Sequence, residues 1–465
     1  MPHPHLAEVL RSILPAQTVL DDGPTRLAHG GDRWFAHASP DVVVEPTSAD
    51  QVATLLAHCH SHRIPVTPRG AGVGYVGGCV PELGGVSLSL AKMDRIVDLS
   101  PADGVAVVGP GLITAALQAA ALQHNLFYPP DPASLKECSI GGNIATNAGG
   151  PRCLKYGVTK HYVLGLEVVL ASGQILRSGG RCHKNKTGFD LVAPFVGSEG
   201  MLGVVTEATL RLIPEPPARA MASAVFPQFP AAAQAVQTIL SSGHLPSALE
   251  ITDAFTLKAA RDFLGPGRLP DGEAHLLVEL DGRPAAVAAE IKELSSLLFS
   301  AGASHVDLAP DADACEALWQ LRREFSYSLR ATGLVKLNED VVVPRSKLVD
   351  LVDFASLLQA ESGFPVACFG HAGDGNIHVN IMVPTMDDPA VRARADIALD
   401  RLFHQIIAWG GAITGEHGVG IAKRRWFPEA VGPTSLAVHR ALKDALDPNH
   451  ILNPGKFLPS TPPTT

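Results

Sequence analysis

Apolar and polar positions in this chain follow two periods, one near two residues and one near three and a half, and they alternate in blocks. Val42-Val43-Val44 reads as a strand. Ser48 then caps a helix over 49–61, and Ile64-Pro65-Val66 returns as an extended segment. Val86-Ser87-Leu88-Ser89-Leu90 alternates as a half-buried strand does, and 96–98, 105–108 and 208–212 continue the series. Residues 112–125 form an amphipathic helix, residues 6 to about 20 a shorter one, and 22–40 an irregular segment. Beyond Pro214-Glu215-Pro216-Pro217 the chain turns Ala-rich and the pattern resumes. Helices are expected over 230–242 and 285–299, strands over 248–252 and 275–280, a surface loop over 265–273, and a last helix over 435–446.

Three glycine-bearing segments interrupt the first block. Pro68-Arg69-Gly70-Ala71-Gly72-Val73-Gly74-Tyr75-Val76-Gly77-Gly78 exposes successive backbone N–H groups, as an anion-binding loop does. It contains G-x-G-x-x-G, yet a strand follows it rather than the helix a Rossmann site requires, so that reading is set aside. The second segment, Ser139-Ile140-Gly141-Gly142-Asn143-Ile144-Ala145-Thr146-Asn147-Ala148-Gly149-Gly150, combines close backbone approach with polar side chains. Pro129-Pro130-Asp131-Pro132 is a rigid turn before it, and Gly197-Ser198-Glu199-Gly200-Met201-Leu202-Gly203-Val204-Val205 is the third segment. Three such loops beside strands point to a large dinucleotide.

A different chemistry gathers in the second block. In the run Gly370-His371-Ala372-Gly373-Asp374-Gly375-Asn376-Ile377-His378-Val379-Asn380, strand alternation puts His378 and Asn380 on one face, and the glycine turn folds His371 back toward it. Thr414-Gly415-Glu416-His417-Gly418 adds a carboxylate and an imidazole. Two His and one Glu suit a divalent ion with open positions, while a glycine turn with hydrogen-bonded structural histidines fits the same residues.

Composition removes other classes. Of the 465 residues, 46% are apolar and 18% charged, with a formal charge of −9, which suits a globular enzyme of two or three domains and gives no footprint for nucleic acid. No run of about 18 apolar residues exists to span a membrane, and Met1-Pro2-His3-Pro4-His5 lacks the layout of an export signal. Seven scattered cysteines without a C-x-x-C pair argue against an iron–sulfur cluster or a disulfide framework. A cytoplasmic location follows, with peripheral attachment at the inner membrane through an electron acceptor as the alternative. The Pro/Thr tail at 460–465 is expected to fray.

On the segments quoted, with Lys186-Thr187-Gly188-Phe189-Asp190 and Asp447-Pro448-Asn449…Asn453-Pro454-Gly455-Lys456, the chain resembles the vanillyl-alcohol oxidase and p-cresol methylhydroxylase superfamily. Within it, the chain is most similar to the group of glycolate oxidase flavin subunits, D-lactate dehydrogenases and D-2-hydroxyglutarate dehydrogenases, from about residue 41 to 459. The resemblance implies an α+β chain. Its parts are an N-terminal segment (1–40), a two-subdomain FAD-binding domain (41–217), an antiparallel-sheet cap carrying substrate and metal with helices on one face (218–425), and a helical return to the FAD domain (426–459). It places the FAD pyrophosphate on Pro68, Arg69, Gly70, Ala71, Gly72, Val73, Gly74 and Tyr75. The rest of the cofactor falls to Pro130 and Asp131; to Ser139, Gly142, Asn143, Thr146, Asn147, Gly149 and Gly150; to Glu199, Gly203 and Val205; and to Asn453 and Lys456. Residues 68–78 contain no His, so FAD is expected to be dissociable, with His161 and His183 structural. Ala71, Val73 and Met201 depart from the Gly, Thr and Thr common in relatives.

The same resemblance implies a reaction. Arg322 and Ser326, one helical turn apart, take a substrate carboxylate with Lys336 nearby, although a solvated helix face and an inward Arg323 fit the helix pattern as well. Asn380 orients substrate or a ligand. His371, His378 and Glu416 hold a divalent ion, zinc first, with manganese and iron as alternatives. His417 acts as general base in oxidation of a 2-hydroxy acid of lactate, glycolate or 2-hydroxyglutarate type, or else supports the site structurally. An external acceptor then reoxidises the flavin: a quinone, an electron-transfer flavoprotein, a cytochrome, an iron–sulfur subunit or oxygen. The competing readings are a metal-independent alcohol or sugar-lactone oxidase of the same superfamily and a flavin-carrying accessory subunit.

Overall fold

A computed structural model describes residues 5–458 apart from positions 266, 268 and 270. The expected tail at 460–465, residues 1–4 and parts of the 265–273 loop lie outside the described residues. The chain divides into two compact units: one takes the chain up to Gly150, Val158–Glu215 and everything from Glu416 on; the other takes Pro151–Gly157 and Pro216–Gly415. The sequence reading put the return at 426, ten residues later than this division, and did not separate 151–157.

In the first unit, α1 (Leu6–Ile13) is shorter than expected because Leu14, the residue before Pro15, is extended (φ −124°, ψ 160°). Strands β1 (Val42–Val44), β2 (Val66–Arg69) and β3 (Val86–Ser89) form a parallel sheet in the order β1-β3-β2, and Val19–Leu20 pairs antiparallel with β1. Helix α2 (Ala49–His62) crosses between β1 and β2; Ser48 accepts the Gln51 N–H at its start. Val42, Val44, Leu55, Leu56, Val66 and Leu88 are fully buried between helix and sheet. β3, and no helix, follows the glycine loop. A second, antiparallel sheet runs β4-β5-β8-β6-β7, built from β4 (Ile96–Ser100), β5 (Val105–Val108), β6 (Val163–Val169), β7 (Ile175–Gly179) and β8 (Val204–Arg211). Helix α3 (Thr114–Leu122) follows β5. The Ser139–Gly150 segment holds a short helix, α4 (Ile140–Thr146), which Gly141 and Gly142 hide from propensity reasoning. Ser139 Oγ caps it through the Gly142 N–H, and Asn147 ends it in the left-handed region at φ 52°.

The second unit is one seven-stranded antiparallel sheet. Its strands are β9 (Ala218–Phe226), β10 (Ala248–Asp253), β11 (Ala274–Gly282), β12 (His305–Ala309), β13 (Val335–Val342), β14 (Val366–His371) and β15 (Asn376–Val383), in the order β12-β9-β11-β10-β14-β15-β13. Helices lie on both faces rather than one. Helices α5 (Phe229–Ser241), α7 (Pro284–Ser300), α9 (Leu348–Ser362) and α10 (Pro389–Ala408) pack on one another and on the sheet. Helices α6 (Ala254–Leu264) and α8 (Ala312–Ala331) pack together on the other face, where Cys315 and Trp319 of α8 meet Met221, Ala248 and Leu277.

Period-two alternation makes the two faces chemically different. Leu249, Ile251, Leu276, Val278, Val379 and Ile381 point one way and are buried. Glu250, His371, Asn376, His378, Asn380, Lys336 and Asp340 point the other way, toward α8, as the cross-strand pairs Glu250↔His371, Asp340↔His378 and Asn338↔Asn380 require. The interposed segment 151–157 belongs to this unit through ion pairs: Arg152 Nε donates to Glu279 at 2.8 Å, and Lys155 and Tyr156 both reach Asp281. Back in the first unit, α11 (Phe427–Leu446) breaks at Gly432-Pro433 (Gly432 φ 76°), so the expected last helix starts at the proline.

Candidate functional site

The hairpin β14–β15 puts His371 opposite Asn376 and Phe369 opposite His378, so the turn folds the first imidazole back over the second. The rings of His371 and His378 stand edge to face, 5.6 Å between centroids. Their orientation is set from neighbouring strands. Glu250, directly across from His371, accepts its Nδ1–H at 2.5 Å. A proton on Nδ1 leaves the lone pair on Nε2, the form that ligates a metal.

Asp340, fully buried on β13, accepts from Asn376 Nδ2 (2.6 Å), Thr414 Oγ1 (2.8 Å) and the Gly415 N–H (2.8 Å). A Cβ on Gly415 would lie 2.4 Å from Asn376 Nδ2, so a side chain there would displace the amide that donates to Asp340. Glu416 is the next residue, bonded to this fixed Gly415. One ligand atom from each of His371, His378 and Glu416 lies within 4.8 Å of the others. Two imidazoles and a carboxylate at that spacing, one imidazole held by a second carboxylate, fit a divalent cation.

Arg322 lies on the same face. Its Nε and Nη2 both meet Glu250 Oε2, at 2.8 and 2.7 Å, and its guanidinium stacks on Phe369 at 4.8 Å. Burial opposes the charge on Glu250, but His371 and Arg322 outweigh it and hold the carboxyl at about 2. Lys336 Nζ donates to Ser326 Oγ at 3.1 Å, and burial, then Arg330 and Arg322, bring its ammonium down to about 8. Asn380 Nδ2 donates to the Ala367 and His378 carbonyls, and its Oδ1 has no hydrogen-bond partner among the described residues. Arg323 pairs outward with Glu316 at 2.5 Å, so Arg322 is the inward arginine. Glu250 and Asp340 were missed by sequence reasoning. Glu250 stands in a largely apolar strand, which marks it as unusual without naming its partners, and Asp340 follows Lys336, Asn338 and Glu339, which hide it.

In the first unit the glycine loop and α4 meet without side chains between them. A Cβ on Gly70 would sit 2.6 Å from Ser139 Oγ and 3.3 Å from Gly142. A cleft of about 280 Å³ opens beside them, lined by Gly70, Ala71, Gly111, Leu112, Ile113 and Ser139 among others. Bare backbone at a capped helix start beside a cleft fits a dinucleotide phosphate.

Several side chains expected at the cofactor also hold the loops. Arg69 donates to Gly31 O, and Asn143 to Thr114 Oγ1. Asn453 donates to the Gly78 and Glu199 carbonyls, and Lys456 to Val80 O. Asn147 Oδ1 accepts the Lys160 N–H, and Gly150 packs on Asp131. Gly203 packs on Val168, and Val205 pairs with Val168 across the sheet. The Tyr75 ring lies 5.3 Å from that of His417.

Glu199, itself in the left-handed region at φ 49°, accepts the N–H groups of Val419 (2.6 Å) and Gly420 (2.9 Å). Burial pushes its carboxyl up to about 7 against those two bonds. The folded state therefore binds this proton more tightly than the unfolded chain, and stability falls as pH rises from about 4.5 to about 7. Melting temperatures across that window are expected to fall less steeply in Glu199→Gln than in the parent. Parallel slopes would contradict the assignment.

Residues 40–179 match the FAD binding domain family, and residues 215–457 match the C-terminal domain of FAD linked oxidases. The chain is 38% identical to the glycolate oxidase subunit GlcD of Bacillus subtilis (strain 168), over 94% of this chain and 93% of that one. It is 34% identical to a D-lactate dehydrogenase of Anaerostipes hadrus, over 98% and 97%. Its fold superposes on p-cresol methylhydroxylase with substrate bound at a TM-score of 0.78, with 20% identity over 97% and 96% of the two chains. No helix among the described residues is long and apolar enough to cross a membrane. By both its domains and its full-length relatives, the chain belongs to the FAD-linked oxidases, and it is an FAD-dependent oxidoreductase.

Proposed function

We propose that this enzyme oxidises a D-2-hydroxy acid to the 2-oxo acid, with a divalent ion held by His371, His378 and Glu416. The observation that carries the reading is the buried constellation in which one carboxylate, Glu250, joins Arg322 to His371. Relatives bearing the names glycolate oxidase subunit and D-lactate dehydrogenase support the substrate class. Backbone of residues 70–74, the start of α4 and the strand around Gly203–Val205 would hold FAD non-covalently. Bound FAD supplies the hydride acceptor at N5, and the ion a Lewis acid for the hydroxyl.

The remaining work falls to the chain. The N–H groups of Arg322 that Glu250 does not take bind the substrate carboxylate, with Lys336 and Ser326 beside it. Asn380, fully buried with its amide on the Ala367 and His378 carbonyls, orients the strand that carries His378. His417 accepts the hydroxyl proton as the Cα hydrogen leaves with its electron pair, so the products are the 2-oxo acid, reduced flavin and an imidazolium. An external acceptor of the quinone, flavoprotein, cytochrome or iron–sulfur type then takes the electrons.

A panel of D- and L-lactate, glycolate, D- and L-malate and D- and L-2-hydroxyglutarate with a dye acceptor tests this. Dye reduction is expected with D enantiomers or glycolate. Turnover should fall at least about 100-fold after chelation, a Lewis acid being worth several kcal/mol, and return with zinc or manganese. Full turnover in a demonstrably metal-free preparation would overturn the metal, and a strict L preference the substrate class.

A further inference from the structure

Glu250 stands where two requirements meet. It is 1% exposed and sits directly across the sheet from His371. One carboxylate oxygen accepts His371 Nδ1–H, and the other accepts both Nε and Nη2 of Arg322. Both oxygens must therefore accept, and only a carboxylate does that; an amide accepts at one end and donates at the other. We infer that Glu250 is a positioning residue that couples the two halves of the site, fixing the His371 tautomer for metal and the orientation of Arg322, whose remaining N–H groups take the substrate carboxylate. This rests on the proposed metal at His371, His378 and Glu416.

The asymmetry of the two partners gives the inference a direction. In Glu250→Gln a single amide oxygen must choose between a guanidinium and an imidazole N–H. The charged donor forms the stronger bond and takes the oxygen. The amide NH₂ then faces His371 Nδ1, draws the lone pair to that side and moves the proton to Nε2. Metal affinity falls, while the Arg322 fork keeps an acceptor. If Arg322 is also removed, the amide oxygen is released to turn toward His371, and the ligating tautomer returns.

The test is metal affinity of FAD-loaded, chelator-stripped protein without substrate, measured by zinc competition against a chromophoric chelator. Glu250→Gln is expected to weaken zinc binding about 10- to 100-fold, the usual cost of losing a hydrogen-bond partner of a ligand. KM for the hydroxy acid, measured at saturating zinc, should change less than tenfold. Glu250→Gln/Arg322→Met should recover most of the zinc affinity while losing hydroxy-acid binding. Unchanged zinc affinity in Glu250→Gln, or no recovery in the double variant, overturns the inference.

Should Glu250→Gln alone fail to fold around an uncompensated Arg322, two charge-free variants decide it. Glu250→Gln/Arg322→Met keeps an acceptor for His371 and Glu250→Met/Arg322→Met does not. Their zinc affinities are expected to differ at least tenfold, and equal values overturn the coupling. His371→Ala separates this from failure of the underlying reading. If the parent binds zinc no better than His371→Ala, the metal site itself is wrong. If the parent binds better and the Glu250 variants match it, only the coupling is wrong.

Discussion

Replacing His371 or His378 with alanine is expected to lower kcat/KM for the hydroxy acid by at least about 10³-fold, about 4 kcal/mol of lost transition-state stabilisation, without changing the spectrum of bound flavin. The two imidazoles sit on adjacent strands of one hairpin in the second unit, whereas the glycine loop and α4 belong to the first. Neither ring holds up the sheet, whose pairing is carried by backbone from Val366 to Val383 and by the apolar face beneath. The loss should therefore appear in turnover and metal content together. A metal-independent alcohol oxidase of the same superfamily makes the opposite prediction, because its imidazoles would serve only as packing. Turnover within tenfold of the parent in both variants would decide for that reading.

Much of this site could be read from the sequence because it rests on short-range rules. A turn of Ala372-Gly373-Asp374-Gly375 between two apolar runs dictates a hairpin, and strand alternation then places His371 and His378 on one face whatever else the chain does. The glycine loop at 68–78 was legible for a related reason: the residues after it form a strand, so the segment is bare loop and not the start of a helix. What escaped were contacts made by residues distant in sequence. Glu250 lies 121 positions from His371, and Asp340 lies 75 from Gly415. Nothing local distinguishes an inward glutamate that closes a network from one at a strand end. Segment 151–157 was missed likewise, its Arg152 and Lys155 finding Glu279 and Asp281 across 127 and 126 positions. Helix α4 was misread locally, since two adjacent glycines oppose a helix that Ser139 and its surroundings nonetheless hold.

His417→Gln is expected to lower kcat about 10²- to 10⁴-fold with KM little changed, since general-base catalysis contributes that much and glutamine cannot take a proton at neutral pH. The loop carrying His417 is tightly held. Glu199 accepts the backbone N–H groups of Val419 and Gly420, Gly418 takes φ 85° directly after the imidazole, and the Tyr75 ring lies 5.3 Å from it. Such fixation suits a proton acceptor, whose geometry must be set before reaction, but it would also suit an imidazole that only packs against Tyr75. Chemical rescue separates the two. In His417→Ala, free imidazole can enter the space left and accept the hydroxyl proton, so kcat should rise with imidazole concentration, and more steeply where the added base is unprotonated. A packing role predicts a smaller initial loss, under about tenfold, and no such dependence, because a diffusing ring does not restore a tethered contact. The same titration on the His378→Ala variant serves as the control, since there imidazole acts by refilling a ligand position and its effect should vanish in metal-free protein.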